Sequence, residues 1–223
     1  MTKPLSEIEL ASVVVDWLEG RGYDVFQEVE LRAQGQRADI VARHGPELTI
    51  VEVKVSSSLA LLYQAMERRR LAHRIYVAVP RASLAMIDVY EELGIGVLVV
   101  RSYDPCYSTD VSSVKEVAPS RRWNSRPLKL ASRLREEHKT SAPAGSRGGH
   151  WSHWRDTCAR ITRLAAGSPG VTLKEALHQV SHHYASDRIA VTSMADHIRA
   201  GRVLGLRLEA GCLWSDVLDE STR

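Results

Sequence analysis

Arg37-Ala38-Asp39-Ile40-Val41-Ala42-Arg43, then His44-Gly45-Pro46-Glu47, then Leu48-Thr49-Ile50-Val51-Glu52-Val53-Lys54: the fold is decided by how this stretch is read. Two runs of strand-forming residues flank a short polar break. Asp39, Glu52 and Lys54 interrupt them, and charges are rarely placed in such runs unless something pairs with them. With residues 44–47 as a four-residue hairpin loop, Arg43 faces Leu48 and the register carries Asp39 opposite Glu52. Opposed carboxylates sit with Cβ atoms ~5 Å apart and repel unless a cation or a shared proton relieves them. Lys54 lies two residues beyond Glu52, so alternation puts it on the same face. The other face, with Ala38, Ile40, Ala42, Val51, Val53 and Val55, reads as core. The pattern describes a divalent-cation site with an ammonium group beside it.

Before this stretch, Ser6-x-x-Glu9 is a capping box that opens a helix with Leu10, Val14 and Leu18 as its buried stripe. Glu9 has the capping job. Glu7 lies on the inward stripe, where it either compensates the helix dipole or joins a site. Gly20 and Gly22 end this helix. Residues 23–31 alternate as a first strand, with Val25, Gln27, Val29 and Leu31 on one face and Phe26, Glu28 and Glu30 on the other. Residues 32–36 form a turn. After the third strand, Ser56-Ser57-Ser58 caps a helix over residues 59–71, whose stripe joins Leu61, Gln64, Arg68 and Leu71. Gln64 can return to the end of the third strand. Arg68-Arg69-Arg70 reads as a solvated helix end or a phosphate contact. Residues 74–79 and 95–100 are apolar strands separated by a helix over 82–93. The order is helix, three strands, helix, strand, helix, strand, which makes an α/β fold with a mixed sheet flanked by helices.

The organisation divides as residues 1–103, a linker of Pro/Ser/Gly-rich basic composition over 104–149, and a small domain over 150–223. The small domain shows three helical stripes and a terminal hairpin, a winged-helix pattern. Its third helix turns Arg188, Thr192, Ser193 and Arg199 outward, where they can enter a major groove, although Asp196 beside them repels phosphate. The Trp and His cluster at 150–154 invites a metal or base-stacking reading, but Trp154 heads the apolar stripe, which favours core packing. His178, His182 and His183 read as surface or core-edge residues.

The bulk numbers describe an ordinary globular protein of 223 residues with net charge +3. Residues 1–119 carry 13 Lys/Arg against 17 Asp/Glu, and residues 120–223 carry 17 against 10, so the second part favours sequence-independent phosphate contacts. No apolar run approaches a membrane span, and the N-terminus lacks a signal-peptide core. Three widely spaced cysteines, Cys106, Cys158 and Cys212, fit a reducing cytoplasm.

Asp39, the Glu52-Val53-Lys54 triplet, Gln64 and the αβββαβ order together make residues 5–100 resemble the PD-(D/E)XK nuclease superfamily, the restriction-endonuclease-like fold. Ala38 stands where the name motif has Pro. The first-helix glutamate of little-characterised bacterial members matches Glu7 by its spacing to Gly22. The resemblance implies Mg²⁺- or Mn²⁺-dependent hydrolysis of phosphodiester bonds in DNA, endonucleolytic by preference. Asp39, Glu52, the Val53 carbonyl and Glu7 through water are then the metal ligands. Lys54 orients the attacking water or stabilises the transition state. Gln64 positions Lys54 or the water, and Arg37 contacts phosphate. Many members dimerise, so a homodimer is among the arrangements the resemblance allows. Two other readings compete. One is a non-catalytic DNA-binding or regulatory protein on a nuclease-like scaffold. The other is an interaction protein whose tail domain binds a protein partner, with cleavage only in the complex.

Overall fold

The computed structural model describes residues 5–31, 36–101, 113–125, 127–146, 149, 151–182 and 184–216. Most of the turn at 32–36, Cys106, His150 and His183 lie outside the described residues. The chain divides into two compact units, Met1–Trp151 and Ser152–Arg223.

The first unit is a mixed α/β fold. Its elements are α1 (Glu7–Glu19), β1 (Asp24–Glu30), β2 (Arg37–His44), β3 (Glu47–Val53), α2 (Leu59–Arg68), β4 (Arg74–Val79), α3 (Leu84–Glu92), β5 (Gly96–Arg101), β6 (Ser113–Ala118) and a single turn, α4 (Leu128–Ala131). The strands form one six-stranded sheet in the order β1-β2-β3-β4-β5-β6. The first three run antiparallel, β3, β4 and β5 run parallel, and β6 returns antiparallel along β5. Ser6 and Glu9 make the reciprocal capping box at the start of α1. Leu10, Val14 and Leu18 of that helix pack on Ile40, Val51 and Val53 on one sheet face. Leu61 and Ala65 of α2 and Tyr90 of α3 join Ile50, Ile75 and Val77 in the core on the other face. Among the described residues no helix is long and apolar enough to cross a membrane.

The β2–β3 hairpin turns in two residues, Gly45 and Pro46, rather than four, because His44 pairs with Glu47. Gly45 supplies the left-handed backbone such a turn needs, at φ 56°. The added pair closes the same ladder, so Arg43 still faces Leu48. The expected core face needs two corrections. Glu28 adopts φ 52°, unusual for a residue with a Cβ. Val29 therefore turns to the side of Phe26, and Ala38, which pairs with Val29, goes with it. Ile40 and Ala42 stay on the α1 side. Val55 is 50% exposed because β3 ends at Val53.

The expected linker is largely part of this unit. Residues 113–118 form the edge strand β6. Beyond it, the Ser120 hydroxyl accepts from the Ile75 amide (3.0 Å). Leu130 and Leu134 enter the core on the α2 side, and Ala144 is buried against the α1 side. A Pro- and Gly-rich stretch can pack where its small residues fit and where side chains of the sheet satisfy its backbone. Here the Ala144 amide donates to Gln27 Oε1 (2.9 Å) and the Gly145 amide to Glu28 Oε1 (2.8 Å).

The second unit has three helices, α5 (His153–Gly167), α6 (Leu173–Gln179) and α7 (Asp187–Arg199), then a hairpin of β7 (Leu206–Glu209) and β8 (Cys212–Ser215). Ala210 and Gly211, both at positive φ, make its two-residue turn. Ile161, Leu177, Met194 and Leu213 are fully or nearly fully buried at its centre.

Candidate active site

The site forms where β2 and β3 part. Their ladder is paired as far as Ile40 with Val51, and Asp39 and Glu52 come next in line. Here the Asp39 side chain takes a strand partner's place. Its Oδ2 accepts from the Val53 amide at 2.7 Å. Glu52 is wholly buried on the α2 side of the sheet. Gln64 Nε2 donates to Glu52 Oε2 (2.5 Å), and Arg68 Nε donates to Glu52 Oε1 (3.1 Å). Arg68 is itself only 4% exposed, and its second arm donates to the Arg37 carbonyl (3.1 Å). One turn of α2 thus carries both groups that hold the acid. Lys54 stands just past the end of β3, its amide bonded to the Ala78 carbonyl (3.0 Å). Its Nζ lies 3.2 Å from Glu7 Oε2 and 3.7 Å from Asp39 Oδ2.

Electrostatics follow from burial. Desolvation pushes the Glu52 carboxyl up to about 8, the Asp39 charge adds to the rise, and the Arg68 guanidinium offsets part of it. Desolvation also raises Asp39, against the pull of Lys54 and the Val53 amide. For Lys54, burial by itself favours the neutral amine. The carboxylates of Asp39, Glu7 and Glu52 outweigh it, so the ammonium is held above its ordinary range. A buried acid, disfavoured in its charged form by the half-buried acid beside it, thus lies near a firmly charged lysine.

The sequence-derived candidates divide between two places. Asp39, Glu52, Lys54, Gln64 and Glu7 gather around the strand fork. Gln64 holds Glu52, not Lys54, and Glu7 meets Lys54. Arg37, expected on phosphate, donates to Glu28 at 2.9 Å. Arg188, Thr192 and Arg199 are exposed on α7 of the second unit. There Thr192 Oγ1 donates to the Arg188 carbonyl (3.2 Å), and Arg199 lies 3.7 Å from Asp196. Arg68 is the residue of this cluster that the sequence reading leaves out, since the basic run reads as a solvated helix end or a phosphate contact. The signal was present: Arg68 shares a helical stripe with Leu61, Gln64 and Leu71, so its charge points inward as Asp39 does. Glu28, 3% exposed and held by Arg37 and Gly145, carried no such signal.

Donor chemistry is the test for a metal. Among the described residues no three His, Cys, Asp or Glu side chains converge as a ready-made cluster. Mg²⁺ needs no such cage, since one or two carboxylates with waters and substrate oxygens suffice. Asp39 and Glu52, hard-oxygen donors that burial makes reluctant to ionise, fit that requirement with the Val53 carbonyl beside them. Glu7 is engaged by Lys54.

No family model matches the chain. No curated protein matches it either. Among solved structures, it is similar to a protein of unknown function from Silicibacter pomeroyi, at 19% identity and a TM-score of 0.45, over 59% of this chain and 84% of that one. It is also similar to a repair endonuclease from Pyrococcus abyssi, at 15% identity and a TM-score of 0.35, over 47% of this chain and 50% of that one.

Proposed function

We propose that the chain is a metal-dependent deoxyribonuclease of the PD-(D/E)XK type, hydrolysing phosphodiester bonds in DNA and cutting internally. One observation carries the reading. The half-buried Asp39 and the fully buried Glu52 meet at a strand fork, with the Lys54 ammonium 3.7 Å from the first of them. The resemblance carried by Asp39, Glu52-Val53-Lys54 and Gln64 points the same way.

Each side chain has a task that follows from its contacts. Asp39, Glu52 and the Val53 carbonyl would hold Mg²⁺ or Mn²⁺. Once bound, such an ion polarises a phosphoryl oxygen and makes a bound water more acidic. The Val53 amide fixes the Asp39 rotamer, and Gln64 with Arg68 fixes that of Glu52. Lys54 brings a charged donor to the place where negative charge grows in the transition state, and Glu7 aims it. In this reading the second unit is a winged-helix-like DNA-binding module. It presents α7 with Arg188, Thr192 and Arg199 to a groove.

A second reading is favoured by one observation. Arg68 and Gln64 already satisfy both oxygens of Glu52, as a non-catalytic nuclease-like scaffold requires. A nicking assay on supercoiled, linear, branched and single-stranded DNA separates the two readings. It uses Mg²⁺ or Mn²⁺, with EDTA and Asp39→Ala as controls. The nuclease gives metal-dependent cleavage that Asp39→Ala abolishes. Absence of cleavage on every substrate with either metal selects the scaffold.

A further inference from the structure

Helix α2 has two working faces. The inner face carries Gln64 and Arg68 to Glu52. The outer face carries Tyr63, 67% exposed, and with Arg70 in the turn after the helix it bounds a groove of about 630 Å³. Its far wall is the segment from Trp123 to Ser125, pinned by the Trp123 amide to the His73 carbonyl (2.8 Å) and by the Ser125 hydroxyl to the Ala72 carbonyl (2.6 Å). The Arg69 guanidinium lies over the Trp123 ring at 5.2 Å. Arg121 sits 6.0 Å from the same ring. Glu67 is the one acid on the lining, against Arg69 and Arg70, and Asn124 adds an amide.

A large exposed aromatic ring beside two guanidiniums, one of them held over Trp123, has a specific chemistry. The flat face takes another π-system, and the cations take phosphate. An apolar protein segment offers Arg69 and Arg70 no anion. A duplex keeps its bases stacked inside and offers Tyr63 nothing. An unpaired nucleotide satisfies both, and the groove is large enough for one. We infer that this groove binds unpaired nucleotides of a single DNA strand, with a base on Tyr63 and phosphate on Arg69 and Arg70. The inference rests on the nuclease reading for its strand. It assigns that enzyme a substrate with single-stranded character, such as a flap, tail or bubble.

The test is fluorescence anisotropy of a labelled oligo-dT with the full-length chain in EDTA, where cleavage plays no part. Duplex DNA and thymidine monophosphate serve as comparison arms. Tyr63→Ala is expected to weaken single-strand binding by roughly tenfold, the scale of one lost stacking contact. Tyr63→Phe keeps the parental affinity. Arg70→Ala lowers the salt slope by about 0.7. The monophosphate competes only weakly. Because Tyr63 is exposed, the thermal midpoint stays unchanged. The inference is overturned by a Tyr63→Ala/Arg70→Ala variant that binds oligo-dT as well as the parent does. Equal losses on single strand and duplex also overturn it. So does a concentration-dependent dimer that Tyr63→Ala abolishes, since a second copy then covers the face. Loss of the nuclease reading shows separately, as absence of metal-dependent cleavage with the EDTA binding data intact.

Discussion

Glu52→Gln should flatten the fall in stability that the metal-free protein shows as the pH rises, whatever it costs to leave the buried Arg68 without a carboxylate. Glu52 is 0% exposed, and its carboxyl is raised from the ordinary 4.5 to about 8. A raised acid contributes stability that is full below the unfolded value and is lost as pH climbs through the folded one. At 1.36 kcal/mol for each unit, the loss reaches about 3 kcal/mol by pH 7 and about 5 kcal/mol above pH 8. Asp39 is raised too, and its loss runs in the same direction. Lys54, raised from 10.5, gives up its share only at still higher pH and leaves this window untouched. Global stability of a domain is ~5–15 kcal/mol, so the effect is large. Urea denaturation in EDTA at pH 5, 7 and 9 measures it. The parent should lose stability across the series, and Glu52→Gln should lose markedly less. Mg²⁺ should restore the parent at pH 8–9 and leave the variant unmoved. Equal pH slopes for parent and variant would refute the reasoning.

Two further outcomes follow from the same contacts. Arg68→Ala strips a donor from Glu52 Oε1 and from the Arg37 carbonyl in a buried setting. It should cost about 3 kcal/mol by urea denaturation, and Arg68→Lys should recover only part, because one ammonium cannot reproduce the fork. Gly145→Ala places a Cβ 3.0 Å from Glu7 Cβ at a backbone φ of 80°. It should lower stability by about 1–2 kcal/mol and reduce cleavage by displacing Glu7 from Lys54, seen as a shifted midpoint with a reduced rate.

How much of this was legible depends on the kind of signal. The hairpin register was legible because its determinants, alternation and a Gly-Pro break, are local. A loop misjudged by two residues left Arg43 opposite Leu48 all the same, since an added pair at the turn does not shift the ladder. Asp39 and Glu52 stood out because charge in a strand run demands a partner. The partner of Glu52 stayed hidden: Arg68 shares a stripe with Gln64, but as part of a basic run its charge reads as meeting solvent or phosphate rather than a buried acid. The kink at Glu28 was illegible. Its positive φ rests on Arg37 and on Gly145, 117 residues away in sequence. The same long-range bond explains why the stretch around Ala144 passed for linker. Composition registers what a segment lacks, not what another element supplies to it.

Cleavage at the strand fork depends on Lys54. The direct measurement is single-turnover cleavage of DNA in Mg²⁺ by the parent and by Lys54→Ala, with DNA binding followed in parallel. The expected result is metal-dependent cleavage by the parent and loss of cleavage in Lys54→Ala with binding retained. Full cleavage by the purified variant would contradict the assignment.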